Sequence, residues 1–297
     1  MMAARADEMT SGRLAAWRDD VAGTALDVEA LLRLQARTLF RYQRHGEDIS
    51  VQEYGLLRWL QFGSPAIQSA MRTDAPTALM LSYLPLMMAF HLFVPAPRHG
   101  LLLGLGGGAI VRHLHALHPQ LRQTVVESRP VLGEICHDYF SLPRDPRRIA
   151  LRFHDAMDWL RREGDGAHDV LMVDLYGRDS LPFFMYEPAF YARCRAQLAT
   201  QGMLVINLLV PDRDELAFLL GHLRQAFDGR SLCLNVPGQH NVIVLASRGE
   251  MECRLAVLRE RAAALGVRLG VDYPGLVTRL VNTNPVREDR LVVQGSA

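Results

Sequence analysis

A glycine turn is the first feature of the sequence that could support ligand chemistry. The stretch LLLGLGGGAI, residues 101–110, joins an apolar run to a group of glycines and then returns to apolar residues. Gly104, Gly106 and Ala109 fit the pattern G-x-G-x-x-G/A, in which small residues allow a tight turn, close ligand approach and close helix packing. The pattern predicts that Gly104, Gly106 and Gly108 bind a nucleoside.

Three carboxylates follow this turn, each at the end of an apolar run that predicts a strand. Glu127 ends QTVVES, where it can accept hydrogen bonds from ribose hydroxyls. Asp155 and Ala156 follow the next strand, where they are placed to meet an adenine amino group, and Asp174 ends HDVLMVD. Ligands of open parallel sheets bind outside the carboxyl ends of the strands, so we expect the three acids to converge on one site.

The charge of this predicted site separates two ligands. NAD and an adenosyl-sulfur compound both fit a glycine turn that is followed by an acid. Three carboxylates around one pocket favour a cationic ligand, such as a sulfonium or an amine, over a pyrophosphate. Asp174 is the candidate catalytic residue; the alternative is that it only caps the following loop.

The elements that must position these residues alternate along the chain. Apolar runs and amphipathic segments predict a parallel sheet covered on both faces, and the runs TLFRYQ, DISVQEY and LLRWLQF predict a small antiparallel unit. The fold class is therefore α/β: a Rossmann-like, class I methyltransferase-type parallel sheet with helices on both faces, preceded by a small N-terminal β unit and a helical extension. We expect a helical extension over residues 1–37, the β unit plus a helix (residues 77–93) over 38–97, a nucleoside-binding catalytic domain over 98–248 and a helical tail over 249–297.

Composition excludes several classes of partner. The 33 basic and 32 acidic residues nearly cancel, so we expect neither a nucleic-acid nor a membrane partner. Four dispersed cysteines and an N-terminus without an apolar segment predict a cytoplasmic protein without a signal peptide. Residues 78–97 are apolar but predict a buried core helix rather than a membrane span. His113, His115 and His118 have no nearby acid to complete a metal site, so we expect a solvated helix face and no metal.

In order and spacing, these motifs resemble those of the spermidine synthase family, the polyamine aminopropyltransferases. The resemblance covers residues 39–247 and rests on LLLGLGGGAIVRHLHALHP, TVVESRP, HDAMDWL, HDVLMVD and EPAFYARCRAQLATQGMLV. It implies a homodimer that transfers an aminopropyl group from decarboxylated S-adenosylmethionine to an amine acceptor in polyamine biosynthesis, releasing methylthioadenosine.

The resemblance also implies roles for individual residues. Asp174 matches the aspartate that takes a proton from the amine, Tyr83 matches a tyrosine that lines the amine channel, and Gln68 matches an upstream glutamine. The proton matters because an amine with an ordinary pKa, about 10.4 for a lysine-like group, is protonated and cannot attack carbon until it loses that proton.

Several positions depart from the family's pattern. Gly107 stands where the glycine loop of the family carries an acid, and Arg129 replaces an acid two residues after Glu127. Leu84 and Pro85 replace the histidine and glutamate that follow the tyrosine, and Gly177 replaces a second aspartate.

These departures weaken the expected recognition of a diamine. A charge-assisted hydrogen bond contributes about 1.5–3 kcal/mol, so the loss of two such contacts weakens diamine binding by about two to four orders of magnitude. We expect a divergent acceptor site in which Tyr176 and Asp179 bind the substrate. Two alternatives stay open: an S-adenosylmethionine-dependent methyltransferase, because Gly107 does not repel a methionine carboxylate, and a non-catalytic nucleoside-binding homologue.

Overall fold

The described part of the chain begins with a small antiparallel sheet. The computed structural model describes residues 35–44, 46–162, 167–176, 180–268 and 270–293, so residues 1–34 of the predicted helical extension lie outside the described part. Four strands follow one another in chain order, each antiparallel to the next. They are β1 (Arg37–Arg44), β2 (Glu47–Tyr54), β3 (Leu57–Phe62) and β4 (Ile67–Arg72). The predicted β unit is confirmed, and β4 is an addition to the three predicted strands.

A seven-stranded sheet forms the centre of the molecule, in the order β10-β11-β9-β8-β5-β6-β7. The five strands from β9 to β7 are parallel, whereas β11 is antiparallel to both β9 and β10. This order confirms the Rossmann-like, methyltransferase-type fold. The strands are β5 (His99–Leu103), β6 (Arg122–Glu127), β7 (Ile149–Phe153), β8 (His168–Val173), β9 (Leu198–Leu209), β10 (Ser231–Asn235) and β11 (Asn241–Ser247). The edge strand β10 was not predicted.

Both faces of the central sheet are buried. In β5, Leu102 packs into one core cluster, and Leu101 and Leu103 pack into another. Successive side chains of a strand point to opposite faces, so a sheet covered on both sides needs apolar residues at every position. The helices are α1 (Leu84–Met87), α2 (Ala109–Leu117), α3 (Val131–Tyr139), α4 (Ala156–Leu160), α5 (Pro188–Gln197), α6 (Arg213–Ala226), α7 (Leu255–Leu265) and α8 (Tyr273–Thr283).

The segment before the central sheet corrects one prediction. We expected one helix over residues 77–93, but α1 begins at Leu84 and continues as a 3₁₀ helix over Met88–Leu92. Pro85 supplies no backbone N–H and disfavours a helical conformation at the residue before it, so a helix cannot run through this point undisturbed. The segment is buried in the core as expected. In the part of the chain that the structure describes, no helix has the length and hydropathy of a membrane span.

The C-terminal region is more regular than the sequence predicted beyond residue 266. Helix α8 follows α7 and packs against it. Two short hairpins flank α8: β12 (Val267–Arg268) with β13 (Val271–Asp272), and β14 (Val286–Arg287) with β15 (Arg290–Leu291). The boundaries given above for the four regions stay predictions.

Candidate active site

A cleft of about 210 Å³ lies at the carboxyl ends of the parallel strands. Glu127, Asp155 and Asp174 all line this cleft, as their positions at the ends of neighbouring strands predict. Most of the other predicted site residues line it too: Gln68, Tyr83, Gly104, Gly106, Ala156 and Tyr176. Gly108, which was also predicted to bind the nucleoside, does not line the cleft. It directly precedes α2, and its N–H donates to the Leu105 carbonyl at 2.8 Å. Asp179 and Gly177 lie outside the described residues.

Gly104 brings the glycine turn against the end of β8. Its φ is +94°, and a Cβ atom there would lie 2.3 Å from the carbonyl oxygen of Asp174. Only glycine adopts this conformation readily and leaves space for that approach. The turn therefore presents bare backbone to the cleft beside Asp174.

Gly107 has no space for a side chain either. A Cβ atom at this position would lie 2.6 Å from the Ser69 hydroxyl oxygen and 3.3 Å from the Phe140 ring. Ser69 belongs to β4 and is buried. The N-terminal sheet thus fills the space beside the loop, and an acidic side chain at position 107 would have no room.

Glu127 is held by backbone donors on both of its oxygens. The Leu105 N–H donates to Oε2 at 3.0 Å, and the Arg129 N–H donates to Oε1 at 2.9 Å. The side chain is 7% exposed, and that exposed part borders the cleft. The Ser128 hydroxyl also donates to Oε1, at 3.3 Å. Each carboxylate oxygen can accept two hydrogen bonds, so Oε2 keeps a lone pair for a ligand hydroxyl.

The two carboxylate oxygens of Asp155 have different surroundings. Its Oδ1 caps α4 by accepting hydrogen bonds from the N–H groups of Met157 at 2.8 Å and Asp158 at 3.0 Å. Within the described residues Oδ2 has no such partner, and the residue lines the cleft. An acceptor therefore remains for a donor such as an amino group.

Asp174 is fixed from two sides. The Tyr83 hydroxyl donates to its Oδ2 at 2.9 Å, and the Asn207 side-chain amide donates to its Oδ1 at 3.0 Å. Burial raises the pKa of Asp174, while the hydrogen bonds from Asn207 and Tyr83 oppose that rise. Burial and the adjacent Asp174 raise the pKa of Tyr83 well above its ordinary value, so Tyr83 stays a donor.

Sequence reasoning missed two residues of this network. Asn207 lies within β9, and its side-chain oxygen accepts a hydrogen bond from Asn241, the first residue of β11, at 2.9 Å. Both side chains are buried, at 9% and 7% exposure. The signal that could have found Asn207 is an amide inside the otherwise apolar run MLVINLL, since buried amides need partners.

Arg129 adds one cation to the wall of the cleft. Its Nε donates to Glu47 at 2.7 Å, and its guanidinium lies 4.8 Å from the centroid of the Phe62 ring. Glu47 begins β2 and Arg129 follows β6, so this ion pair links the two sheets beside the cleft.

His113 and His115 of α2 and His118 directly after it do not form a solvated face, which corrects the sequence prediction. His115 is half-buried, with Nε2 at 3.2 Å from the Asp145 carboxylate. His113 is fully buried, and its Nδ1 lies 3.0 Å from the Thr77 carbonyl oxygen. The Nε2 atom of His118 lies 2.7 Å from the Nε2 atom of His91. Burial lowers the pKa of His113 and lowers the pKa of His118 to about 4, so both imidazoles are neutral at pH 7. Among the described residues, no group of three histidine, cysteine, aspartate or glutamate side chains could hold a metal ion.

The fold and the cleft define the class of the protein: a Rossmann-like α/β protein of the methyltransferase type with an acidic crevice at its strand ends. No protein-family model matches the chain. Over 240 residues it is 30% identical to the polyamine aminopropyltransferase of Neisseria meningitidis serogroup A, covering 80% of this chain and 90% of that protein.

Solved structures agree on the fold. A probable spermidine synthase from Corynebacterium glutamicum superposes with a TM-score of 0.65 at 18% identity, over 87% of this chain and 99% of that one. A spermidine synthase in complex with the transition state analogue AdoDATO gives 0.59 at 17% identity, over 72% and 74% of the two chains. By its sequence relatives, the chain belongs to the polyamine aminopropyltransferase family, which is a family of transferase enzymes.

Proposed function

We propose that this protein transfers the aminopropyl group of decarboxylated S-adenosylmethionine to an amine acceptor, with Asp174 as the catalytic residue. One observation carries the proposal: Asp174, hydrogen-bonded by Tyr83 and Asn207, lines the same cleft as Glu127 and Asp155. Membership of the aminopropyltransferase family supports the reaction class.

The nucleoside half of the cleft supports an adenosyl donor. Glu127 offers the remaining lone pair of Oε2 for a ribose hydroxyl, Asp155 offers Oδ2 for the adenine amino group, and Gly104 and Gly106 present backbone without side chains. The solved relative whose ligand is named AdoDATO supports the same choice of donor. The negative charges of the cleft suit a sulfonium.

The transfer balances without a metal. Asp174 takes one proton from the ammonium group of the acceptor and leaves a neutral amine. The nitrogen lone pair forms a bond to the aminopropyl carbon next to sulfur, the carbon–sulfur bond breaks, and its electron pair stays on sulfur. The products are an aminopropylated amine and the neutral thioether methylthioadenosine.

The acceptor end of the cleft supports an acceptor different from the usual diamine. Leu84, at the histidine position of the family, is 2% exposed and packs in the core, and Pro85 lies in the first turn of α1. Tyr176 lines the cleft and is proposed to contact the acceptor. The role of Asp179, the cytoplasmic location and the homodimer stay predictions.

A transfer assay with a panel of donors and amines tests the proposal. The full chain is incubated with decarboxylated or intact S-adenosylmethionine and with putrescine, spermidine or butylamine, and products are identified by mass. We expect an aminopropyl gain from the decarboxylated donor only, and a rate about 10²–10⁴-fold lower in Asp174→Asn. Methylation by the intact donor would instead establish the methyltransferase alternative. Unchanged transfer in Asp174→Asn would remove Asp174 from the mechanism.

A further inference from the structure

Asn207 is a buried amide at the back of the candidate active site. It lies on the same face of β9 as Val205, which belongs to the core cluster that also holds Leu84. A buried amide is unfavourable unless its hydrogen bonds are made. Its two contacts, to Asp174 and to Asn241, therefore explain why a polar residue is tolerated in this strand.

The chemistry of the partners fixes the orientation of this amide. A carboxylate only accepts hydrogen bonds, so the nitrogen of Asn207 must face Asp174, and its oxygen faces away. That oxygen meets the amide nitrogen of Asn241 at 2.9 Å. Asn207 pairs with Ile243 across the strands, which places Asn241 two residues along β11 on the same face.

The network acts on the state of the carboxylate as well as on its direction. Burial raises the pKa of Asp174, and of the two opposing hydrogen bonds the one from Asn207 has the larger effect. An acid that accepts a proton from an amine must be ionised before the step begins. Asn207 therefore favours the reactive form.

We propose that Asn207, held in place by Asn241, is a positioning residue that orients the Asp174 carboxylate toward the acceptor amine. It reaches no reacting atom itself and acts through Asp174. Tyr83 holds Oδ2 and Asn207 holds Oδ1, so the carboxylate cannot rotate without breaking one of these two bonds. The positioning role of Asn207 rests on the proposed function of Asp174. The hydrogen-bond geometry is independent of that function.

Titration of the Asp174 carboxyl group tests the positioning role without an acceptor. Carbon-13 NMR of the full chain gives the midpoint in wild type and in Asn207→Leu. We expect the midpoint to rise by about one to two pH units in the variant, the shift that a lost charge-assisted hydrogen bond produces. The affinity for methylthioadenosine should stay unchanged, since Asn207 is not part of the nucleoside half. An unmoved midpoint in folded Asn207→Leu would overturn the proposal.

Two further variants keep the test decisive. Asn241→Ala keeps the Asn207 amide and frees it to rotate, so it should move the midpoint in the same direction by less; if Asn207→Leu does not fold, an unmoved midpoint in Asn241→Ala overturns the proposal. Gln123→Leu is the matched control, because Gln123 is a buried amide that donates to the Val111 carbonyl at 3.2 Å away from the cleft. An equal shift in this control would show a general effect and also overturn the role.

The failures of the two proposals are distinguishable. If Asp174→Asn abolishes transfer and the midpoint does not move in Asn207→Leu, only the positioning role fails. If Asp174→Asn transfers at the wild-type rate while the midpoint moves, the proposed function fails and the hydrogen-bond network remains.

Discussion

At the scale of single residues, the Asp174 carboxylate is already oriented by the protein itself. Each of its oxygens already accepts a hydrogen bond, one from Tyr83 and one from Asn207. The remaining lone pairs are thus presented in fixed directions, which would lower the cost of orienting the proposed amine acceptor. The raised pKa of Tyr83 keeps its hydroxyl protonated throughout the pH range of an assay.

Replacing the tyrosine tests this preparation directly. Tyr83→Phe keeps the ring and removes the donor to Asp174, so we expect kcat/KM with the best amine of the panel to fall by about tenfold or more. Tyr191→Phe is the matched control, because the buried Tyr191 hydroxyl has no hydrogen-bond partner within the described residues. Steady-state kinetics in which the two variants behave alike would contradict a role for the Tyr83 hydroxyl.

The carboxylates of the site were predictable from the sequence, whereas the amides behind them were not. Glu127, Asp155 and Asp174 each follow an apolar run, and the geometry of parallel sheets brings such positions together. Asn207 depends on the register of β9 against β11, which local sequence does not fix. A contact between residues 33 positions apart leaves no periodic signal.

At the scale of elements, short backbone contacts join the ends of β5, β6 and β8. The Gly104 N–H donates to the Val126 carbonyl at 2.8 Å, and the Asp174 N–H donates to the Leu103 carbonyl at 3.0 Å. The glycine turn therefore positions the candidate catalytic residue and also borders the proposed nucleoside site. A side chain at Gly104 would push the turn away from Asp174.

Alanine substitution at Gly104 tests the close backbone approach, and the same substitution at an unconstrained glycine is its control. Gly104→Ala combines a positive φ with a clash against backbone, so we expect the free energy of unfolding to fall by about 2–4 kcal/mol. Gly221→Ala, in α6 with open space around its Cβ position, should raise it by about 0.5–1 kcal/mol. Chemical denaturation measures both. Equal stability of Gly104→Ala and wild type would contradict the close approach.

Elements were predicted best where periodicity was unambiguous. The strands of the parallel core are apolar at successive positions and alternate with helices, which indicates a covered sheet. Residues 77–93 are apolar without such alternation, and this pattern does not distinguish a long helix from a buried irregular segment. Pro85 decided the outcome. Strands β4 and β10 were missed because IQSAMR and SLCLN are not continuous apolar runs and contain a single β-branched residue, Ile67.

At the scale of the whole molecule, the cleft belongs to both sheets. The N-terminal sheet contributes Phe62 and Gln68 to its lining, fills the space beside Gly107 with Ser69, and reaches Arg129 through Glu47. The chain as a whole is nearly neutral, with 33 basic and 32 acidic residues. Attraction of the cationic ligand that we propose would therefore come from the local placement of carboxylates rather than from a general field.

The measurement that tests the central claim most directly is calorimetric titration of the full chain with methylthioadenosine, in wild type and in Asp155→Asn. Asparagine caps a helix as well as aspartate does, so α4 should persist while an NH₂ group replaces the free Oδ2 that faces the cleft. We predict one ligand per chain and an affinity at least about tenfold weaker in the variant. Asp158→Asn, at an exposed position of the same helix, should bind like wild type. Failure of the wild type to bind the nucleoside, or equal binding by Asp155→Asn, would contradict the claim that these carboxylates surround one adenosyl site.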